Sequence, residues 1–292
     1  MPSCVPPWDE PGDEQGNDLD LEGTYDMHTY LIGGGWDERG AEAVYGPFLE
    51  AAGQRAGRQR AAGDAAVVGC LLVDEGDGAG QFARYEAVLR KVADCAPVPL
   101  LVPLGERFDV GALGRVDALL VCGGLTPAYQ DALAEVLGRL PRVLAERGIP
   151  YAGFSAGAAV AARRAVVGGW LAGGVPVCPE DTGEDLDEIE VREGLGLVPF
   201  GVDVHAAQWG TLPRLIAAVA DGRVPHGVAI DENTLLTVDG RTARVSGLGR
   251  VHTVRPGTDS GTGTRADGGN GDGTGGDVLV RSYAAGESFA AD

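Results

Sequence analysis

Gly148-Ile149-Pro150-Tyr151-Ala152-Gly153-Phe154-Ser155-Ala156-Gly157-Ala158-Ala159 is the stretch that decides the fold. It reads as a short apolar strand that runs into Gly-x-Ser-x-Gly and then into a helix of small residues. A sharp strand-to-helix turn holds a serine exposed only if the backbone has room on both sides, and glycines two residues before and after the serine supply it. The alanines at 158, 159, 161 and 162 let the helix pack close to a sheet. The helix start lies under Ser155, where N–H groups and the helix dipole favour a developing oxyanion. The alternative is a glycine-rich turn in which Ser155 serves only as the N-cap of the helix. Gly-x-Ser-x-Gly by itself is weak in a chain with 48 glycines; the strand and helix around it give it weight.

Outward from this turn, short apolar runs alternate with helical patterns from about residue 28 to 240. Tyr30–Ile32 leads into Gly33-Gly34-Gly35 and a helix through Leu49. Ala66–Val73 is a strand, followed by a helix over 81–92. Val98–Val102 and Ala118–Cys122 are strands, the second ending on Gly123-Gly124 and followed by a helix over 127–147. Leu195–Asp203 is a further strand, with a helix near 213–220, and 227–238 supplies one or two more. Apolar strands joined by helices predict an α/β fold, a mostly parallel sheet with helices on both faces. Near the end, Ala243–Val254 and Val278–Tyr283 are β-like and predict a C-terminal β-hairpin.

The composition is ordinary for a globular protein, with 44% hydrophobic and 23% charged residues, but the net charge of −20 is not. Residues 1–26 hold eight acids and no Lys or Arg, with four prolines and three glycines, and predict a disordered acidic leader. The remaining 27–292 reads as a single α/β domain, itself acidic, with a flexible Gly-rich insertion at 256–276. A second interruption, Glu180–Glu193, is dense in acids and reads as a solvated loop or surface hairpin. Such a field repels phosphate backbones and anionic lipid, which argues against nucleic acid and membrane partners. No stretch approaches the ~20 apolar residues of a membrane span. The five cysteines are odd in number and lack close-pair spacing, so no disulfide framework or metal site is expected, and the cytoplasm fits best.

A nucleophilic serine needs a base. The single lysine, Lys91, lies within a helical stretch, which leaves four histidines. His28 and His226 precede their strands and fall at the opposite sheet edge from Ser155, and His252 lies in the hairpin segment. His205 alone follows a strand at the edge where open α/β proteins place their sites. The base needs an orienting carboxylate. Asp203, Asp231 and Glu232 are all placed for it, and pattern alone does not choose among them.

These pieces, in this order, resemble the dipeptidase E–cyanophycinase family of serine peptidases, relatives of class I glutamine amidotransferases in which serine replaces cysteine. The matching segments are Gly33-Gly34-Gly35, Val121-Cys122-Gly123-Gly124-Leu125-Thr126, Gly153–Ala158, Asp203-Val204-His205 with Arg214-Leu215, and Ile230-Asp231-Glu232-Asn233-Thr234. The resemblance covers roughly residues 28–255. It implies a flavodoxin-like, class I glutamine amidotransferase-like sheet, with Ser155 as nucleophile, His205 as base and Glu232 as orienting acid. It also implies an oxyanion hole from the Gly123-Gly124 turn and the Ala156 N–H. Arg214 is then either a ligand for a substrate carboxylate or a structural ion-pair partner. Leu125 and the Ala206–Thr211 stretch depart from the cyanophycinase pattern, which argues against cyanophycin as substrate. The reading that follows is a serine-type peptidase or dipeptidase cleaving a small peptide or amide through an acyl-enzyme, without cofactor, as a monomer or homodimer. The alternatives are an esterase or acyl transferase on the same residues, or an inactive peptide-binding relative.

Overall fold

A computed structural model describes residues 28–59, 64–257 and 276–292. The acidic leader, and all but the ends of the Gly-rich insertion, lie outside the described residues. The first half runs β1 (Thr29–Ile32), α1 (Ala41–Gln59), β2 (Ala66–Asp74), α2 (Gly78–Val92), β3 (Cys95–Pro103), β4 (Ala118–Val121), α3 (Thr126–Leu133), α4 (Arg139–Arg147), β5 (Tyr151–Phe154) and α5 (Ala156–Val160). Then come β6 (Arg164–Gly168), β7 (Leu171–Ala172), β8 (Val175–Pro176), β9 (Glu190–Glu193), β10 (Gly201–Val204), α6 (Leu212–Ala220) and β11 (Gly227–Ile230). The chain closes with β12 (Thr234–Asp239), β13 (Thr242–Gly247), β14 (Arg250–Pro256), β15 (Val278–Ala284) and β16 (Ser288–Ala290).

The architecture is mixed α/β. An eight-stranded sheet has the order β16-β13-β12-β1-β5-β4-β2-β3, and its five strands from β1 to β3 are parallel. Along these strands successive side chains enter opposite cores. Leu31, Leu71, Leu119 and Val121 face α5, whereas Ile32, Cys70, Leu72 and Leu120 face α1 and α2. Burial on both faces is why the strands are continuously apolar rather than alternating. β3 is the edge strand, paired only with β2, and its position explains how it tolerates Pro97, Pro99 and Pro103.

Three expectations are corrected. The segment 127–147 is two helices, because Gly138 weakens the middle and Pro141 has no N–H to bond back; its place in the first turn of α4 removes that cost. The strands near 201–204 and 227–230 do not extend the central sheet. β10 and β11 pair in parallel within a second, four-stranded sheet of order β10-β11-β14-β15. The run Ala243–Val254 is broken at Gly247-Leu248-Gly249, so β13 joins the large sheet while β14 pairs antiparallel with β15 in the small one. Val202, Val204, Val228 and Ile230 of the small sheet share one core with Ala156, Ala158 and Val160 of α5 and the face of the large sheet. The small residues of α5 thus sit between two sheets. No helix among the described residues is long and apolar enough to cross a membrane.

A buried ion pair fixes the small sheet to the loops above it. Arg214 on α6 donates from Nε and Nη2 to both carboxylate oxygens of Asp203 at 2.9 and 2.7 Å, and from Nη1 to Thr182 O at 2.7 Å and Gly169 O at 3.4 Å. Burial works against the guanidinium charge, but the Asp203 carboxylate beside it holds its pKa above the ordinary value. Removing one partner of such a pair leaves an uncompensated buried charge, at a cost of about 3–5 kcal/mol. Arg214→Met is therefore expected to lower the unfolding free energy by about that amount, seen as a lower urea midpoint. The double variant Arg214→Met, Asp203→Leu should recover much of it, as read by equilibrium denaturation of all three proteins.

Candidate active site

Ser155, His205 and Glu232 lie at the carboxyl ends of β5, β10 and β11, strands that belong to two different sheets. Ser155 sits in the tight turn with φ 52° and ψ −112°. The two glycines around it have no freedom to change. A Cβ on Gly153 falls 2.3 Å from Gly157 O, and one on Gly157 falls 2.1 Å from Val121 O. Ser155 makes no side-chain capping bond to α5, which disposes of the N-cap alternative. Its Oγ lies 2.7 Å from His205 Nε2 instead, and His205 Nδ1 lies 2.8 Å from Glu232 Oε1. The hydroxyl, the imidazole and the carboxylate form one unbroken chain of hydrogen bonds.

The three segments are brought together by the backbone after β1. Ile32 O accepts the Ser155 N–H at 2.9 Å, Gly33 O the His205 N–H at 3.0 Å, and Gly34 O the Asn233 N–H at 2.7 Å. Only glycine fits at this crossing. A Cβ on Gly33 falls 2.2 Å from Asp231 O, and one on Gly34, where φ is +98°, falls 2.1 Å from the His205 ring. Ser155, His205 and Asn233 all adopt positive φ, at 52°, 55° and 56°. Such backbone strain costs on the order of 1–3 kcal/mol per residue and persists only where surrounding bonds hold it.

The carboxylates near His205 divide their work. Asp203 is spent on Arg214, as above. Asp231 accepts the N–H groups of Ala207 at 3.1 Å and Arg250 at 2.8 Å and lies 3.4 Å from His252 Nε2. Glu232 alone faces His205 Nδ1, and the Gln208 side-chain oxygen accepts its N–H at 2.8 Å. Arg214 does not line the cleft above Ser155; its guanidinium is turned into the fold.

Backbone N–H groups in the 122–126 turn are almost all engaged. Cys122 donates to Leu71 O at 2.9 Å and Gly123 to the Tyr85 hydroxyl at 2.9 Å, while Leu125 and Thr126 donate to the Glu75 and Glu184 carboxylates, each at 2.9 Å. Gly124 is the exception, and among the described residues its N–H has no partner; the Ala156 N–H likewise has none. The Gly123 N–H, expected to serve an oxyanion hole, is taken by Tyr85, and the unpartnered N–H groups here are those of Gly124 and Ala156. Gly123 instead gives clearance, since a Cβ there falls 3.0 Å from Ser155 Cβ. α5 has only five residues, so its dipole contributes less than the sequence suggested.

Two features escaped sequence reading. Trp209 stacks on the His205 ring with centroids 3.8 Å apart and planes 7° apart. It lies in the loop after the histidine, and nothing in the local pattern distinguishes it from a surface tryptophan. The acidic run from 180, expected to be a solvated loop or surface hairpin, is largely exposed as expected, but it also lines the cleft above Ser155, whose volume is about 870 Å³. Among the described residues no group of His, Cys, Asp or Glu is arranged to hold a metal ion.

Burial is the largest influence on His205 and lowers its pKa below the ordinary 6.5, opposed by the Glu232 hydrogen bond and charge. A protonated imidazole in van der Waals contact quenches indole emission, so Trp209 reports on this ring. The difference in fluorescence between wild type and Trp209→Phe is expected to titrate with a midpoint below pH 6.5, the wild type dimming as pH falls. His205→Gln should abolish that titration.

No family model matches the sequence, and no curated protein matches it. Among solved structures, the chain is similar to the 1.5 Å crystal structure of a Listeria monocytogenes EGD-e protein described as a peptidase E candidate. The match has a TM-score of 0.45 and 12% identity, and covers 76% of this chain and 98% of the other. A likeness of that degree assigns no residue and no activity.

Proposed function

We propose that this chain is a serine hydrolase that cleaves a small peptide or amide through an acyl-enzyme. The observation that carries the reading is the continuous Ser155–His205–Glu232 relay beside two amide N–H groups, of Gly124 and Ala156, that bond to nothing else among the described residues. In the proposed reaction His205 Nε2 takes the Ser155 hydroxyl proton as Oγ attacks the substrate carbonyl carbon. The oxyanion is held by the Gly124 and Ala156 N–H groups, donors that are already fixed and need no reorganisation. Glu232 keeps the His205 tautomer with its free lone pair on Nε2 and stabilises the imidazolium. The amine leaves with the proton from His205, and a water activated by the same nitrogen then hydrolyses the ester. A cleft of about 870 Å³ suits a dipeptide-sized substrate rather than a folded protein. The order of motifs along the chain supports placing it among the serine peptidases related to dipeptidase E and cyanophycinase, with a flavodoxin-like parallel core.

Ser155→Ala should keep the fold and cut turnover on the order of a million-fold. Glu232→Gln should cost about a thousandfold or more, by analogy with the amidated aspartate of other triads. Asp203→Asn should lower the denaturation midpoint while the folded protein keeps most of its turnover. Rates on a panel of dipeptide anilides and aryl esters, with fluorophosphonate labelling of Ser155 followed by mass spectrometry, read all three. Labelling equal in wild type and Ser155→Ala would remove the serine from the mechanism.

The depressed His205 pKa sets the pH dependence. The base works as neutral imidazole, so kcat/KM should fall as pH drops, along a limb centred below pH 6.5. A limb centred well above 6.5 would mean that a different group titrates.

A further inference from the structure

The cleft above Ser155 is strongly one-signed. Glu75 and Asp77, from the β2–α2 turn, form one side. Glu180, Asp181, Glu184, Asp185 and Asp187 form the other. Among the described residues none of these carboxylates is in a salt bridge, and the cleft's one Arg or Lys side chain, Arg84, lies over the Trp36 ring at 4.4 Å. All three tryptophans of the described chain, Trp36, Trp170 and Trp209, line the same cleft. Carboxylates and indole rings lining one cleft are a chemistry that recognises organic cations, and the Arg84 guanidinium already lies over the Trp36 ring.

The acidic wall is built rather than draped. Buried Arg214 holds Thr182 O at 2.7 Å, the Thr126 N–H holds Glu184 at 2.9 Å, and Glu184 and Asp185 both adopt positive φ, at 58° and 60°. Water-filled clefts with walls of one sign focus the field on an incoming ligand.

Resting on the hydrolase reading above, we propose that the substrate carries a protonated amine or guanidinium, which docks between the 180–187 wall and the tryptophans while its carbonyl meets Ser155. Anionic substrates are rejected by the same wall.

The test uses three fluorophosphonate probes that differ only in a terminal group: guanidinium, its neutral urea isostere, and carboxylate. Each reacts by forming a bond from Ser155 Oγ to phosphorus as fluoride leaves, and needs no knowledge of the scissile bond. Labelling by the guanidinium probe is expected to be at least about tenfold faster than by the urea probe. The carboxylate probe should be slowest, and the ratios should shrink between 0.05 and 1 M salt as the screening length falls to about 3 Å. The triple variant Asp181→Asn, Asp185→Asn, Asp187→Asn should lose most of the preference. The variant Glu50→Gln, Glu135→Gln, Glu146→Gln, which removes three exposed acids away from the cleft, should keep it. Equal labelling by the guanidinium and urea probes, or equal losses in the two triple variants, would overturn the cation proposal and leave the hydrolase standing. Failure of all three probes to label Ser155 would overturn the hydrolase reading and this proposal with it.

Discussion

Three successive carbonyls, those of Ile32, Gly33 and Gly34, accept the amides of Ser155, His205 and Asn233. The rest of the site depends on this crossing. The three segments arrive from separate strands, two of them in a sheet other than that of Ser155, and no side-chain contact alone would hold them in register to a fraction of an ångström. Backbone bonds to a single short turn do so. The turn must be glycine because the approach is closer than a Cβ permits, with the His205 ring itself occupying the space beside Gly34.

The strain around that turn fits the same picture. Five non-glycine residues of the described chain have positive φ: Ser155, His205, Asn233, Glu184 and Asp185. The first three are the anchored residues, and the other two shape the acidic wall. Outside glycine, the described backbone takes positive φ at these points alone. The buried Asp203–Arg214 pair supplies part of the restraint, tying the strand before His205 to the loop before Glu184 through Thr182 O. One ion pair thus links the relay with the wall that faces it.

Electrostatics give the cleft a character that the relay alone does not have. Burial lowers the pKa of His205, against the hydrogen bond and charge of Glu232. Burial raises the pKa of Glu184, against hydrogen bonding and charge from Thr126 and Arg214. Both groups feel the same shortage of water. The one acts as a proton acceptor in the proposed reaction, and the other keeps its carboxylate anchored by the Thr126 N–H at the margin of the cleft.

Much of this was legible in the residues. The strand–turn–helix at 148–159 follows from local sterics, because Gly153 and Gly157 answer clashes within a few residues of themselves. The apolar strands revealed a sheet covered on both faces, and elimination among four histidines left His205. Local pattern did not separate Asp203 from Glu232. Asp203 lies near the end of β10 and Glu232 two residues past β11, and the choice was made by Arg214, eleven residues from one of them, claiming Asp203 in the core. Nor did it reveal that β10 and β11 form a second sheet, since an apolar strand reads the same in either. The engagement of Gly123 by Tyr85, of Leu125 by Glu75 and of Thr126 by Glu184 are contacts between segments distant in the chain. Sequence determines what is settled between near neighbours by sterics and hydrophobic period. Only the tertiary structure decides which of several equivalent polar groups, brought together from afar, is left free to act, because that depends on which partners the others have already found.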